Sequence, residues 1–148
     1  MSHFSSIKTS IKDKQCLVSA LQELEFELTI HEANQSIVGY YGDSQGYSAE
    51  IVISARSINT RSDVGFRRTE NGEYELVQDL YETKNHRLFG RNFVQEKVMP
   101  VYGSHLVRKI AIANYGSDVE ISETKAENGK ITMRVQVPQQ RELARARR

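Results

Sequence analysis

Basic and aromatic side chains alternate between residues 66 and 91, and this stretch has the clearest potential for binding chemistry. Two adjacent arginines, Arg67 and Arg68, belong to a set completed by Phe66, Tyr81, Lys84, His86, Arg87, Phe89 and Arg91. Cationic groups bind phosphates, and aromatic rings stack on bases. A second basic cluster, which would add counter-ion release, lies at Arg141, Arg145, Arg147 and Arg148. One hypothesis is therefore an RNA-binding module that uses Arg67, Arg68 and the basic tail.

Acidic residues in the same stretch favour a different interpretation. Four glutamates lie among the arginines, at Glu70, Glu73, Glu75 and Glu82. They would repel phosphate and pair with the guanidinium groups across a hairpin. Neighbouring side chains of a strand point to opposite faces, so Arg67 and Arg68 cannot both belong to one patch. Arginine and tyrosine are also typical of the residues that dominate protein interfaces. The candidate partner-binding residues are His3, Arg67, Arg68, Tyr74 and Tyr81.

Residues that could perform catalysis or hold a metal ion are scattered. The histidines, which lack the spacing of zinc ligands, are His3, His31, His86 and His105. No serine lies in a G-x-S-x-G pattern. The single cysteine, Cys16, is expected to pack as a small apolar side chain, although a helix N-terminus there would stabilise its thiolate. A thiol-dependent redox protein is thus a third hypothesis, whereas the sequence predicts no enzyme, cofactor or metal site.

The totals describe one ordinary globular domain. The chain has 148 residues, of which 39% are hydrophobic and 26% charged, and its net charge is +1. Residues 139–148 contribute +3 and leave −2 for the rest, so basic charge is concentrated in this tail. No apolar run is long enough for a membrane span, and the N-terminus lacks the pattern of a secretory signal. A lone cysteine fits a reducing compartment.

The elements that must position these residues begin with a strand and a helix. Ile7, Thr9 and Ile11 alternate with polar residues and predict a strand. Asp13 is a typical helix N-cap, and residues 14–25 are predicted to form the helix, with Leu17, Leu21 and Leu24 on its inner face. A short strand at residues 27–31 follows, with Leu28 and Ile30 inward.

Hairpins dominate the middle of the chain. Residues 36–42 and 47–55 are predicted strands around a turn at residues 43–46, and the second strand is apolar enough to be central. Residues 56–62 form a polar loop. The arginine pair lies on a hairpin of residues 63–68 and 73–79, whose Asn71-Gly72 tip is the strongest short-range turn signal because both residue types tolerate positive φ.

A helical pattern and a last hairpin complete the predicted fold. The helix spans residues 92–114 and is expected to kink or divide at Pro100 and Gly103, with Gly116 at its C-cap. The hairpin turns at Asn128-Gly129, and its inward face is expected to be Ile131, Met133 and Val135. The fold class is α+β: a mainly antiparallel sheet with two helical segments packed on it, in a single domain at residues 1–138. Residues 139–148 are predicted to be a disordered basic tail.

Three segments resemble a family of domains of unknown function. They are "MSHFSSIKTSIKD" at 1–13, "VGFRRTENGEYELVQD" at 64–79 and "AENGKITMRVQV" at 126–137. The family occurs in cyanobacteria, in red-algal and related plastids and in some other bacteria, and in plastids it is called hypothetical chloroplast reading frame 35. The resemblance covers residues 1–138, and the arginine-rich end from Gln139 departs from the pattern. It implies the cyanobacterial cytoplasm or the plastid stroma, and an accessory role near photosynthetic or redox machinery, without catalytic residues.

These observations lead to a primary functional hypothesis. The chain is expected to be a non-enzymatic accessory, assembly or adaptor protein that docks a partner protein through the arginine hairpin and the first strand. An exposed sheet edge could also pair two copies of the chain. RNA binding, with contacts from Arg87, Arg91 and the tail arginines, and thiol chemistry at Cys16 remain the alternatives.

Overall fold

The structure, a computed structural model, describes residues 2–90 and 92–137 of the chain. The strands in these residues are β1 (Ser5–Lys8), β2 (Leu28–Ser36), β3 (Ser48–Ile53), β4 (Val64–Arg68), β5 (Tyr74–Gln78), β6 (Glu120–Lys125) and β7 (Ile131–Gln136). The helices are α1 (Lys14–Glu23), α2 (Leu80–Thr83) and α3 (Met99–Tyr115), with a 3₁₀-helix at Ala55–Ile58 and a π-helical segment at Val94–Val98. The predicted α+β class, a mainly antiparallel sheet with helical segments packed on it, is confirmed.

Five strands form one antiparallel sheet in the order β1-β5-β4-β3-β2, and β6 and β7 form a separate two-stranded sheet. β3 is interior, as its apolar sequence predicts, and five of its six residues are buried. The arginine hairpin, β4–β5, also lies inside the sheet, because β1 pairs with the outer side of β5. The two edges of the large sheet within the described residues are therefore β1 and β2.

The main core lies between one face of this sheet and the helical segments. Ile51, Phe66 and Leu76 from the central strands pack with Leu17 and Leu21 of α1, which lie on the predicted inner face of that helix. The core is completed by aromatic and aliphatic side chains that follow β5 in the sequence, among them Phe89, Phe93, Val98, Val101 and Tyr102. Helix packing on one face is thus what buries most of the apolar surface.

A smaller apolar cluster covers the opposite face of the sheet. Phe4 and Ile37, from outside the regular strands, pack on Ala49, Val52 and Val77. The sheet is closely packed here: a Cβ added to Gly65 would lie 2.5 Å from the Cβ of Ala49. A glycine in β4 therefore lets the neighbouring strand and its side chains approach.

The predicted N-cap of α1 and the predicted Asn-Gly turns are both observed. The Asp13 carboxylate accepts from the amide of Cys16 at 2.9 Å, as an N-cap does, although α1 ends at Glu23, two residues before the predicted end. Both predicted Asn-Gly hairpin turns form, but only the glycine adopts positive φ, +85° at Gly72 and +88° at Gly129. Each loop is thus a three-residue connection closed by a left-handed glycine, rather than a two-residue Asn-Gly turn.

Three strand predictions are wrong in extent. The strand expected at residues 27–31 continues to Ser36 as β2, with a register irregularity between Ile30 and Gln35, and residues 37–42 form no strand. Ile30 is predicted to point inward, but its side chain is 46% exposed, because β2 is an edge strand. Of Leu28 and Ile30, only Leu28 packs against the main core. β1 is also shorter than predicted, and Ile11, beyond its end, enters the core.

The long helical pattern divides as the proline predicts. The π-helical segment at Val94–Val98 leads directly into α3, and Pro100 occupies the first turn of α3, where a missing amide is tolerated. Gly103 lies inside α3 without ending it, and Gly116 forms the C-cap. Residues of the polar loop after β3 form the 3₁₀-helix, and α2 was not predicted. The inner face of β7 is Ile131, Met133 and Val135, as expected, and it turns towards α3.

No helix among the described residues is both long enough and apolar enough to cross a membrane. The predicted basic tail at residues 139–148 lies outside the described residues.

Candidate functional site

The arginine hairpin is held by a carboxylate that sequence analysis did not single out. Glu50, on β3, is 4% exposed, and it accepts from Lys14 Nζ at 2.7 Å and from Arg68 Nε at 3.1 Å. The hydroxyl of Tyr74 donates to Glu50 Oε1, the oxygen that Lys14 also contacts, at 3.0 Å. The guanidinium of Arg68 also contacts the Tyr74 hydroxyl and lies 4.5 Å above that ring. One buried acid thus joins α1, β3, β4 and β5.

The electrostatics of this cluster follow from burial and its partners. Burial opposes ionisation of Glu50, but the hydrogen bonds from Lys14, Arg68 and Tyr74 outweigh it and hold the pKa of this carboxyl below its ordinary value. Burial, followed by the hydrogen bond to Glu50, raises the pKa of Tyr74. Glu50 is therefore an anion and Tyr74 a neutral donor at neutral pH. Both shifts move the pKa away from neutral pH, so neither group is poised for proton transfer there.

Asn34 of β2 completes the hydrogen bonding of Arg68. Its side-chain amide donates to the Arg68 carbonyl at 3.0 Å, and its oxygen accepts from the Arg68 amide at 3.1 Å. The pairing of β3 with β4 runs only from Ile53 to Ile51, so the backbone at Arg68 has no partner from β3. The Asn34 side chain supplies that missing partner.

Arg67 occupies the opposite face of the hairpin, as the period of a strand predicts. Its guanidinium pairs with Glu75, the cross-strand neighbour, and lies 5.6 Å from the centroid of the Tyr47 ring. The predicted pairing of a hairpin arginine with Glu75 is thus observed. Both arginines of the pair have intramolecular partners, so they stiffen the hairpin from its two faces.

The outer side of β1 is the open feature next to this hairpin. The Thr9 amide donates to the Tyr74 carbonyl at 3.2 Å, which makes Thr9 a hydrogen-bonded partner in the ladder with β5. Because amides alternate in direction along a strand, the backbone groups of Ser6 and Lys8 point away from β5. No strand of the described residues pairs with that side. Ile7, between them, is 38% exposed.

Three neighbouring cavities flank this edge, and together with it we name them the β1 groove. The largest, about 410 Å³, lies between Lys8–Thr9 and the tip of the arginine hairpin, with Glu70, Glu73 and Glu75 in its wall. A second, about 300 Å³, lies between Lys8 and the π-helical segment. The third, about 110 Å³, is bounded by Ile7, Leu76 and Phe93. The groove therefore has an acidic end and an apolar end.

The other predicted contact residues are placed in different environments. His3 is exposed and precedes β1, and Tyr81 is 63% exposed on α2. Tyr74 is fully buried, so it is not available to a partner that docks on the folded protein. Arg87 is exposed, and its carbonyl accepts from Lys97 at 3.2 Å. Of the remaining predicted nucleic-acid contacts, Arg91, Arg141, Arg145, Arg147 and Arg148 lie outside the described residues.

Cys16 lies in the first turn of α1 and is buried. Burial, with a smaller contribution from the nearby Asp13 carboxylate, raises the pKa of its thiol. The direction is opposite to the lowered thiol pKa that a helix N-terminus would give. Reactive thiols are exposed and have a lowered pKa, so Cys16 has the surroundings of a packing residue.

In the part of the chain that is described, no three histidine, cysteine or acidic side chains come together as a metal site.

The sequence analysis did not identify Glu50, Lys14 and Asn34 as members of this cluster. One sequence signal pointed to Glu50. Glu50 is the single charged residue in the buried stretch 49–53, and a charge on an interior strand is almost always paired. That signal predicts a buried ion pair, although it does not identify the residues that pair with Glu50.

Comparison with known proteins supports the resemblance drawn from the sequence. Residues 20–134 match a family model described as "Protein of unknown function (DUF1257)". An uncharacterized protein, ycf35, of Guillardia theta is 34% identical over 137 residues, covering 92% of this chain and 97% of that protein. No solved structure matches the chain. The chain therefore belongs to the DUF1257 family of proteins of unknown function.

Proposed function

We propose that this protein is a non-enzymatic accessory or assembly protein that docks a partner protein on the β1 groove. The observation that carries the proposal is the open edge of β1, with a half-exposed Ile7, set between concave surfaces on both sides. Concave surfaces with apolar walls and a few polar groups are typical of binding sites. Membership of a family known from plastids and cyanobacteria supports action in the plastid stroma or the cyanobacterial cytoplasm.

The hairpin arginines contribute to docking by shape. Arg67 binds Glu75 and Arg68 binds Glu50, so the hairpin is rigid where it forms one wall of the groove. A rigid wall lowers the entropy lost when a partner binds. We therefore assign Arg67 and Arg68 to positioning, and we assign direct contact to the exposed side chain of Ile7, which lines the groove.

The experiment is a pull-down of the tagged full-length chain from a cyanobacterial or plastid lysate, with and without RNase. Ile7→Glu places a charge in the apolar end of the groove, and we expect it to remove a stoichiometric partner that survives RNase. Ile110→Glu is the matched control, because Ile110 is 50% exposed and lies three turns beyond Met99 on α3. A partner that is retained by Ile7→Glu, or lost equally from both variants, contradicts docking at the groove.

RNA binding is a second candidate, favoured by one observation at the loop between β2 and β3. Tyr41 is 69% exposed and packs edge-on against Tyr40, and the guanidinium of Arg61 lies 5.0 Å from the Tyr40 ring. An exposed ring beside a cation can stack on a base. This candidate predicts that all captured partners leave with RNase. It also predicts that RNA affinity falls steeply with salt and falls further in Tyr41→Ala.

A further inference from the structure

We propose that the partner binds by strand addition: an extended segment pairs with the open edge of β1, carrying an apolar residue for one end of the groove and a basic residue for the other. This inference rests on the proposed function and specifies its chemistry. It names the backbone of β1 as the recognition element, in addition to the side chains around it.

The backbone geometry of β1 supports this mode. Ser5, Ile7 and Thr9 direct their amides towards β5, since the register runs from Ser5↔Gln78 to Lys8↔Glu75 and the Thr9 amide donates to Tyr74. The amides and carbonyls of Ser6 and Lys8 therefore point outward. An extended peptide that pairs there satisfies these groups and gains affinity from main-chain hydrogen bonds.

The apolar end of the groove selects one side chain of the incoming segment. Ile7 faces a small cavity shared with Leu76 and Phe93, and the adjoining cavity is bounded by Val94 and Met99. Alternate residues of an added strand point to the same face as Ile7. One of them would cover the exposed part of Ile7 and enter this apolar space.

The acidic end of the groove selects a positively charged side chain on the partner segment. The cavity beside the hairpin tip contains three carboxylates, from Glu70, Glu73 and Glu75, against one ammonium group, from Lys8. Glu75 is neutralised by Arg67, whereas Glu70 is exposed and the Glu73 carboxylate accepts from the uncharged Asn71 side-chain amide at 2.9 Å. The excess of negative charge fits a lysine or arginine on the partner segment.

The short length of β1 and its Lys8 also protect this edge. Natural sheets use short edge strands and lysines to prevent indiscriminate pairing. The opposite edge, β2, is a poorer acceptor, because its register is irregular between Ile30 and Gln35 and Lys14 Nζ already occupies the His31 carbonyl at 2.6 Å. We therefore assign strand addition to β1.

The test uses a phage-displayed library of random dodecapeptides, selected on the immobilised full-length chain. Selected peptides are expected to alternate apolar and other residues and to carry lysine or arginine. The Lys8 amide points away from β5, so Lys8→Pro removes this outward donor and keeps the hydrogen bonds to β5. Proline is tolerated in edge strands. We expect Lys8→Pro to weaken peptide binding about tenfold. Lys8→Ala, the matched control, removes the charge but keeps the amide, and it should bind basic peptides at least as well.

A second readout does not depend on any variant. Binding of a selected peptide should slow hydrogen exchange at the amides of Ser6 and Lys8 and leave that of Thr9, already bonded to β5, unchanged. Glu70→Gln with Glu73→Gln should weaken binding and reduce its salt dependence. Equal binding to Lys8→Pro and Lys8→Ala, unchanged exchange at Ser6 and Lys8, or failure to select any peptide would overturn strand addition.

Failure of this inference is distinguishable from failure of the proposed function. If the lysate partner is lost from Ile7→Glu but retained by Lys8→Pro, the groove binds a partner through side chains, and strand addition is wrong. If Ile7→Glu retains the partner as well, docking at the groove itself is contradicted.

Discussion

Replacing Glu50 by alanine should be strongly destabilising, because this carboxylate is the shared partner of two cations and a buried phenol. Lys14 Nζ and Arg68 Nε lie 2.7 Å and 3.1 Å from its oxygens, and the Tyr74 hydroxyl donates at 3.0 Å. Removing one member of a buried pair costs about 3–5 kcal/mol. The side chains of Lys14 and Arg68 remain 29% and 35% exposed, so water compensates part of this loss. We expect the free energy of unfolding to fall by about 2–4 kcal/mol.

Two further variants separate charge from shape. Glu50→Gln keeps the volume and an acceptor for Tyr74, so its cost should be smaller, about 1–2 kcal/mol. Glu70→Gln, at an exposed position of the hairpin tip, is the control and should stay within about 0.5 kcal/mol of wild type. The assay is urea unfolding at neutral pH, followed by circular dichroism and tyrosine fluorescence. A Glu50→Ala variant as stable as the control would refute the view that this network holds the hairpin.

Three other predictions concern stability and reactivity. Because the folded state lowers the pKa of Glu50, its contribution to the free energy of unfolding is present above the ordinary carboxyl pKa and is lost as pH falls through the folded value; acid unfolding curves of Glu50→Gln should therefore be flatter than those of wild type. Gly65→Ala places a Cβ 2.5 Å from that of Ala49 and should cost about 1–3 kcal/mol in urea unfolding, whereas Gly103→Ala, where a Cβ meets nothing within 4 Å, should stabilise α3 by up to about 1 kcal/mol. Cys16 should react with a thiol reagent only as the chain unfolds, so labelling of the native protein as fast as that of a free thiol would contradict its burial.

Local features of the fold were predictable because they depend on a few neighbouring residues. The N-cap at Asp13 needs one acceptor next to exposed amides, and the hairpin loops need a glycine that adopts positive φ. Pro100 divides the helical pattern because it lacks an amide, and the alternation in β7 selects its inner face. Each of these signals lies within a few positions of the element that it determines.

The strand boundaries were less predictable because pairing partners extend or end a strand. Leu28–Ser36 form one strand, since β3 pairs with both of its ends across an irregular register, and nothing in the local pattern predicts that continuity. The exposure of Ile30 likewise follows from the edge position of β2. Alternation predicts two faces of a strand, but it does not predict which parts of them a neighbouring element covers.

The sequence by itself determined the fold class, the two hairpins, the opposite directions of Arg67 and Arg68, and the family. Only the tertiary structure decided that both arginines are occupied, because Glu50, Lys14, Asn34 and Glu75 come from different elements and meet only after the sheet assembles. It also decided that β1 is the edge beside the hairpin. Edge status depends on which strands pair across 60 or more residues of chain, as Ser5 does with Gln78, and that choice is made by the packed core as a whole.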